Sequence, residues 1–152
     1  MLNKATELVK RKGIKMLVLD PINRIRGKEK NSIGEHTIEY FSKIDEWCKK
    51  YDTFAMVVAH PHKIQKLENG EWPEMSYYNI AGGADIANMA YHILALHRSA
   101  ITDDTTIKVL KCKFNFLGKN GASATFKYDA KTTNFEAIRN AKEEEPPWYL
   151  DA

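Results

Sequence analysis

Cysteine is scarce, with only Cys48 and Cys112 in 152 residues and no Cys-x-x-Cys pair. That excludes a disulfide framework and a structural zinc site, and both thiols are expected to be buried. Long hydrophobic runs are missing too. No stretch approaches the roughly 18 apolar residues that cross a bilayer, and Met1 opens a charged amphipathic segment rather than a signal-peptide core. The expectation is a soluble, cytoplasmic protein. Glycine and proline, at 8 and 5, are too few for collagen or a low-complexity chain. No Gly-x-x-x-x-Gly-Lys-Ser/Thr loop occurs either. The Gly-Lys pairs are Gly27-Lys28 and Gly118-Lys119, and where such a loop needs its first glycine stand Ile22 and Lys113. Neither Gly-x-Gly-x-x-Gly nor the Gly-x-Ser-x-Gly elbow is present, so dinucleotide binding and serine hydrolysis have no support.

What is there fits an ordinary folded chain. Hydrophobic residues make up 43% of it, and a chain of this length buries roughly two thirds of its unfolded surface, enough for one core. One domain over residues 1–138 is expected, followed by an acidic tail, 139–152, with Glu143, Glu144 and Glu145 beside Trp148 and Tyr149. An acidic, aromatic terminus of that kind suits docking onto a basic partner. Net charge is only +3, but nine basic side chains in the first thirty residues face just Glu7, Asp20 and Glu29. Arg24, Arg26, Lys28 and Lys30 form a run that attracts phosphates if it lies on an exposed loop, and is otherwise a solvated surface.

The chain alternates between helical and strand-like patterns. Residues 3–12 carry apolar positions at helical spacing and stop at Gly13. Met16 to Leu19 is a continuous apolar run, the pattern of a strand covered on both faces, ended by Asp20-Pro21. A polar, basic loop over 22–34 leads to Ile38, Phe41, Ile44, Trp47 and Cys48, spaced as one face of a helix. Thr53 to Ala59 predicts a second buried strand, again stopped by a polar residue and proline, His60-Pro61. Residues 62–82 have no period and predict a long loop, with a short helix after Gly83. Tyr91–His97, Thr105–Phe116 and Ala122–Tyr128 predict three more strands, the last two a hairpin joined at Gly118-Lys119-Asn120-Gly121. Helices alternating with buried strands imply a mostly parallel α/β sheet, extended at one edge by this antiparallel hairpin.

In parallel sheets, ligands bind beyond the carboxyl ends of the strands, where Asp20 and His60 both fall. Lys15 to Asp20 has the form of a Walker B strand, a hydrophobic strand delivering one carboxylate toward a nucleotide's magnesium; an Asp that merely caps the next turn gives the same pattern. His60-Pro61-His62 could share a metal but finds no further ligand nearby in sequence. Glu35-His36-Thr37-Ile38-Glu39 is not a His-Glu-x-x-His site, and His92 and His97, on opposite faces of one strand, read as structural.

Four segments, taken in order over roughly residues 5–136, resemble the C-terminal half of the RecA-like motor domain of DnaB-type and Twinkle-type replicative helicases, particularly phage versions. Leu17-Val18-Leu19-Asp20-Pro21-Ile22-Asn23 is similar to that family's Walker B strand and exit. Val57-Val58-Ala59-His60-Pro61-His62-Lys63 is similar to the motif whose Gln or His senses the γ-phosphate. Ile80 to Ala90, running into Ile93 to Arg98, resembles the last helicase motif, and Leu110 to Phe114 with Ala124 to Asp129 resembles the finger-bearing hairpin.

The resemblance implies a partial RecA-like P-loop NTPase core. Asp20 would hold the water shell of Mg²⁺, and His60 would meet the γ-phosphate of ATP or the attacking water. Lys111 and Lys113 would act in a neighbouring subunit's site, which requires a head-to-tail homo-oligomeric ring, a hexamer in the intact protein. Arg24, Arg26, Lys28, Lys63 and Lys66 would grip the backbone of single-stranded DNA. Such a protein works in the cytoplasm of a bacterium or a phage-infected host. The family's hairpin reads Lys-x-Arg, whereas this chain has Lys113, which brings charge without arginine's planar fork. The family's phosphate loop and catalytic glutamate lie before the Walker B strand, so the fragment depends on a missing N-terminal half and is not expected to hydrolyse ATP alone. The competing expectations are a non-catalytic DNA-binding or regulatory module of the same shape, and a recombinase-type ATPase.

Overall fold

A computed structural model describes residues 1–22, 33–80 and 83–138. The Arg24, Arg26 and Lys28 run and the acidic tail lie outside the described residues. By its internal contacts the chain divides into two compact units, one made of Met1–Ile64 with Ser76–Ile93, the other of Gln65–Met75 with Leu94 and the strands that follow.

The first unit opens with helix α1, Leu2–Lys12, whose last turn carries Lys10, Arg11 and Lys12 against the negative end of the helix dipole. Gly13 ends it in the left-handed region, at φ 66°, and its N–H donates to the Val9 carbonyl at 2.9 Å. Strand β1 is Met16–Leu19, helix α2 is Ile33–Tyr51 and strand β2 is Phe54–Val57. β1 and β2 pair in parallel, with Met16 opposite Phe54 and Leu19 opposite Val57, and α2 makes the crossover that a parallel pair requires. Helix α3, Gly83–Met89, packs on α2 and on a 3-10 turn at Tyr77–Asn79. Among the described residues, the buried apolar side chains of this unit are Leu19, Ile22, Ile44, Trp47 and Ile86. Trp47 also binds α2 to α1, its indole Nε1–H donating to Thr6 Oγ1 at 2.9 Å.

Both strands were expected to be covered on two faces, and they are covered on one. Met16 and Val18 are 45% and 52% exposed, and their cross-strand partners Phe54 and Met56 are 54% and 42% exposed. Alternate residues share a face, so these four make one open apolar stripe, while Leu19 turns inward. The continuous apolar run reported strand formation correctly and burial only by half. Cys48 likewise is half-buried rather than enclosed, whereas Cys112 is buried.

The second unit, from Leu94 on, holds most of a sheet of strands β3 (His92–Arg98), β4 (Thr105–Cys112), β5 (Ser123–Asp129) and β6 (Asn134–Ile138), in that spatial order. The β4–β5 and β5–β6 pairs are antiparallel. This corrects the expected architecture. The parallel sheet has two strands, and the hairpin belongs to a separate, larger antiparallel sheet rather than to its edge. Connection length explains the antiparallel pairs, because segments 113–122 and 130–133 are too short for crossovers. The expected hairpin exists, with Thr105 opposite Phe126 and Lys108 opposite Ser123. β4 stops at Cys112, short of the expected Phe116, because Asn120 Oδ1 takes the Cys112 N–H and Asn115–Leu117 coils into a 3-10 turn.

Candidate functional site

The parallel pair delivers its two exits to a common edge, and main-chain bonds continue past the strand ends. Val58 N–H donates to the Leu19 carbonyl, and Ile22 N–H donates back to the Val58 carbonyl, both at 2.8 Å. Asp20 and His60, each exposed, therefore leave the sheet at the same carboxyl edge. The Asp20-Pro21 peptide is cis, and Ile22, at 9% exposure, anchors the first exit in the core. The second exit is anchored at His62, whose N–H donates to the Asn79 carbonyl at 2.7 Å. Asn79 is itself fixed by a capping box, its Oδ1 accepting from Ser76 N–H at 2.7 Å.

Asp20 brings a carboxylate to this edge and His60 an imidazole. Among the described residues no three His, Cys, Asp or Glu side chains gather as a metal-binding group. The sequence holds no Gly-x-x-x-x-Gly-Lys-Ser/Thr phosphate loop beside Asp20 and His60.

The other expected residues are distributed over both units. Lys63 is exposed in the first unit and Lys66 in the second. Lys66 Nζ lies 4.9 Å from the centroid of the Trp72 ring. Lys111 is partly covered within β4, while Lys113 has passed the end of the strand and stands exposed, its ammonium 5.9 Å from the Phe114 ring. The two lysines thus occupy different settings, one on a strand and one on the connection after it.

Sequence reasoning missed Glu71. Its carboxylate accepts from Ser99 Oγ at 2.6 Å, Ala100 N–H at 2.9 Å and Trp72 N–H at 2.8 Å, with His97 Nε2 at 3.6 Å. The Ser99 hydroxyl foremost, then the two backbone N–H groups, pull its pKa down from 4.5 to about 2. Glu74 is held in the same way by Lys108 at 2.8 Å, which also lowers its pKa. Nothing in the aperiodic 62–82 segment marked either residue, because both partners lie far along the chain.

No family model matches the chain. It is similar to a Twinkle homolog. Over 101 residues it is 28% identical to the Twinkle homolog protein, chloroplastic/mitochondrial, of Arabidopsis thaliana, a stretch covering 65% of this chain. The match spans 14% of that Twinkle homolog. The similarity is distant, and that relative bears the name of one of the two protein groups that the order of the motifs resembles. Among the described residues no helix is long and apolar enough to cross a membrane.

Proposed function

We propose that this chain is part of the motor of an ATP-dependent replicative DNA helicase of the DnaB/Twinkle type. The supporting observation is the parallel register of β1 and β2, which brings Asp20 and His60 to one carboxyl edge. In this reading Asp20 orients the water shell of Mg²⁺ through its carboxylate oxygens, and His60 hydrogen-bonds the γ-phosphate of ATP or the attacking water. Bound Mg²⁺ would neutralise the charge of the phosphoryl group in transfer. Arg24, Arg26, Lys28, Lys63 and Lys66 hold the backbone of single-stranded DNA, without regard to its sequence. Lys111 and Lys113 reach the site of the next subunit in a homo-oligomeric ring and stabilise developing negative charge there.

The phosphate cradle comes from a separate segment in this reading, so the test supplies one. The chain is co-expressed with the Walker A-bearing half of a DnaB/Twinkle-type motor, and ATP hydrolysis is measured with and without single-stranded DNA. DNA-stimulated hydrolysis that Asp20→Asn and His60→Ala each reduce by at least about 100-fold supports the motor, in the range of one lost charge-stabilising group. Hydrolysis indifferent to the added chain overturns it. The lack of a phosphate loop in these residues favours one second reading, a non-enzymatic DNA-binding or regulatory module of the same shape, which predicts DNA binding and no gain in hydrolysis.

A further inference from the structure

The loop 65–75 is closed on itself and anchored. Leu67 N–H donates to the Glu71 carbonyl at 2.8 Å and Gly70 N–H to the Leu67 carbonyl at 2.9 Å. Gly70 takes φ 81°, which suits glycine, and Asn69 Oδ1 accepts from Glu71 N–H at 3.0 Å. This turn sets the two residues that flank it, Lys66 and Trp72, against each other, ammonium over ring. Below the turn, the Glu71 carboxylate fastens it to Ser99 and Ala100, at the connection between β3 and β4, and Glu74 fastens the following stretch to Lys108 on β4. Trp72 nevertheless remains 40% exposed, a large apolar ring kept in solvent on a rigid mount.

We propose that Lys66 and Trp72 form a one-nucleotide seat for single-stranded DNA, in which the indole stacks on a base and the ammonium meets the adjoining phosphate. The inference rests on the motor reading above for its ligand and adds to it a base-contacting residue. A nucleotide carries a π-face and a negative charge on one molecule, and this turn presents an aromatic ring and an ammonium 4.9 Å apart. Of the neighbouring carboxylates, Glu71 is turned toward Ser99 and Ala100 and Glu74 is paired with Lys108, while Glu68 stands exposed at the tip of the turn. Because the turn is ordered by its own hydrogen bonds, binding does not bear the cost of ordering it. Every base has a π-face, so the seat is indifferent to sequence.

The test compares fluorescein-labelled decathymidylate with an abasic decamer of equal charge, by anisotropy on the full chain at low and moderate salt. The protein is expected to bind the thymidine oligomer about tenfold more tightly than the abasic one, the value of a single stacked base. Trp72→Ala should erase that ratio while leaving abasic binding unchanged, and Trp72→Phe, which keeps an aromatic ring, should retain most of it. Lys66→Gln should weaken both oligomers alike and flatten the salt dependence by about one phosphate. A Trp72→Ala variant that still discriminates as the parent does overturns the seat and leaves the motor reading, which hydrolysis with the Walker A-bearing half tests, untouched. Absence of binding to either oligomer at low salt also overturns the seat.

Discussion

Glu71 accepts the Ser99 hydroxyl at 2.6 Å, joining a loop to a strand connection 28 positions away in the sequence. This contact makes a long, aperiodic segment behave as a fixed part of the second unit, since Ala100 N–H donates to the same carboxylate at 2.9 Å.

Acid should undo this anchor in a defined window. The pKa of Glu71 is depressed in the folded protein, from 4.5 to about 2, so the stabilisation it brings is complete above 4.5 and is lost as pH falls toward about 2. Thermal melts of the protein and of Glu71→Gln should show a gap in Tm that is constant above the ordinary carboxylate range and closes at the acid end of that window. A gap of the same size throughout would show that the carboxylate's charge contributes nothing.

Trp47 offers a separable pair of contributions. It is 6% exposed and donates to Thr6 Oγ1. Trp47→Phe should cost about 1 kcal/mol for the lost hydrogen bond. Trp47→Ala should cost about 3–5 kcal/mol, as the cavity adds to the lost burial. Urea midpoints of the two variants measure both, and equal losses would refute the division.

Gly83 opens α3 where no side chain fits. A Cβ at this position would stand 1.8 Å from the Tyr77 carbonyl oxygen and 2.7 Å from its carbon, both backbone atoms. Gly83→Ala must displace the 3-10 turn from the helix, and overpacking of this sort costs about 1–3 kcal/mol, readable as a lowered urea midpoint. An unchanged midpoint would mean that the turn is not held against α3.

The open stripe of β1 and β2 predicts behaviour in solution. Replacing Val18 and Met56 by threonine, a good strand residue, removes apolar surface that is already in water and so should leave stability within about 0.5 kcal/mol. Light scattering should register a higher concentration threshold for aggregation, and an unchanged threshold would show that the stripe is not what makes chains adhere.

The sequence made the first unit's elements legible because its signals are local. Gly13 as a stop, the apolar run Met16–Leu19, and the helical spacing of Ile44 and Trp47 each report on neighbours a few residues away, and each element appears where that spacing put it. The shared edge of Asp20 and His60 was legible for the same reason, since a parallel pair joined by one helix has its strand ends together. Nonlocal features were not legible. The split into two sheets depends on which strands find each other, and β6 was missed because all five of its residues are exposed and show no alternation. One trace of β6 was present: Asp129 accepts from Lys131 N–H and Thr132 Oγ1 to build a turn, after which Phe135 returns to lie 5.0 Å from Tyr128. The Glu71 anchor left no trace at all, because a carboxylate in an irregular loop looks the same whether it faces water or a distant serine.

The bonds that hold the two exits together run from Ile22 N–H to the Val58 carbonyl and from Val58 N–H to the Leu19 carbonyl, and every atom in them belongs to the main chain. Their spacing is consequently blind to the identity of the groups mounted at positions 20 and 60. Whatever polar pair occupies those positions, the backbone presents it as a fixed bracket, and chemistry can be exchanged there like tools in a holder without reshaping the handle.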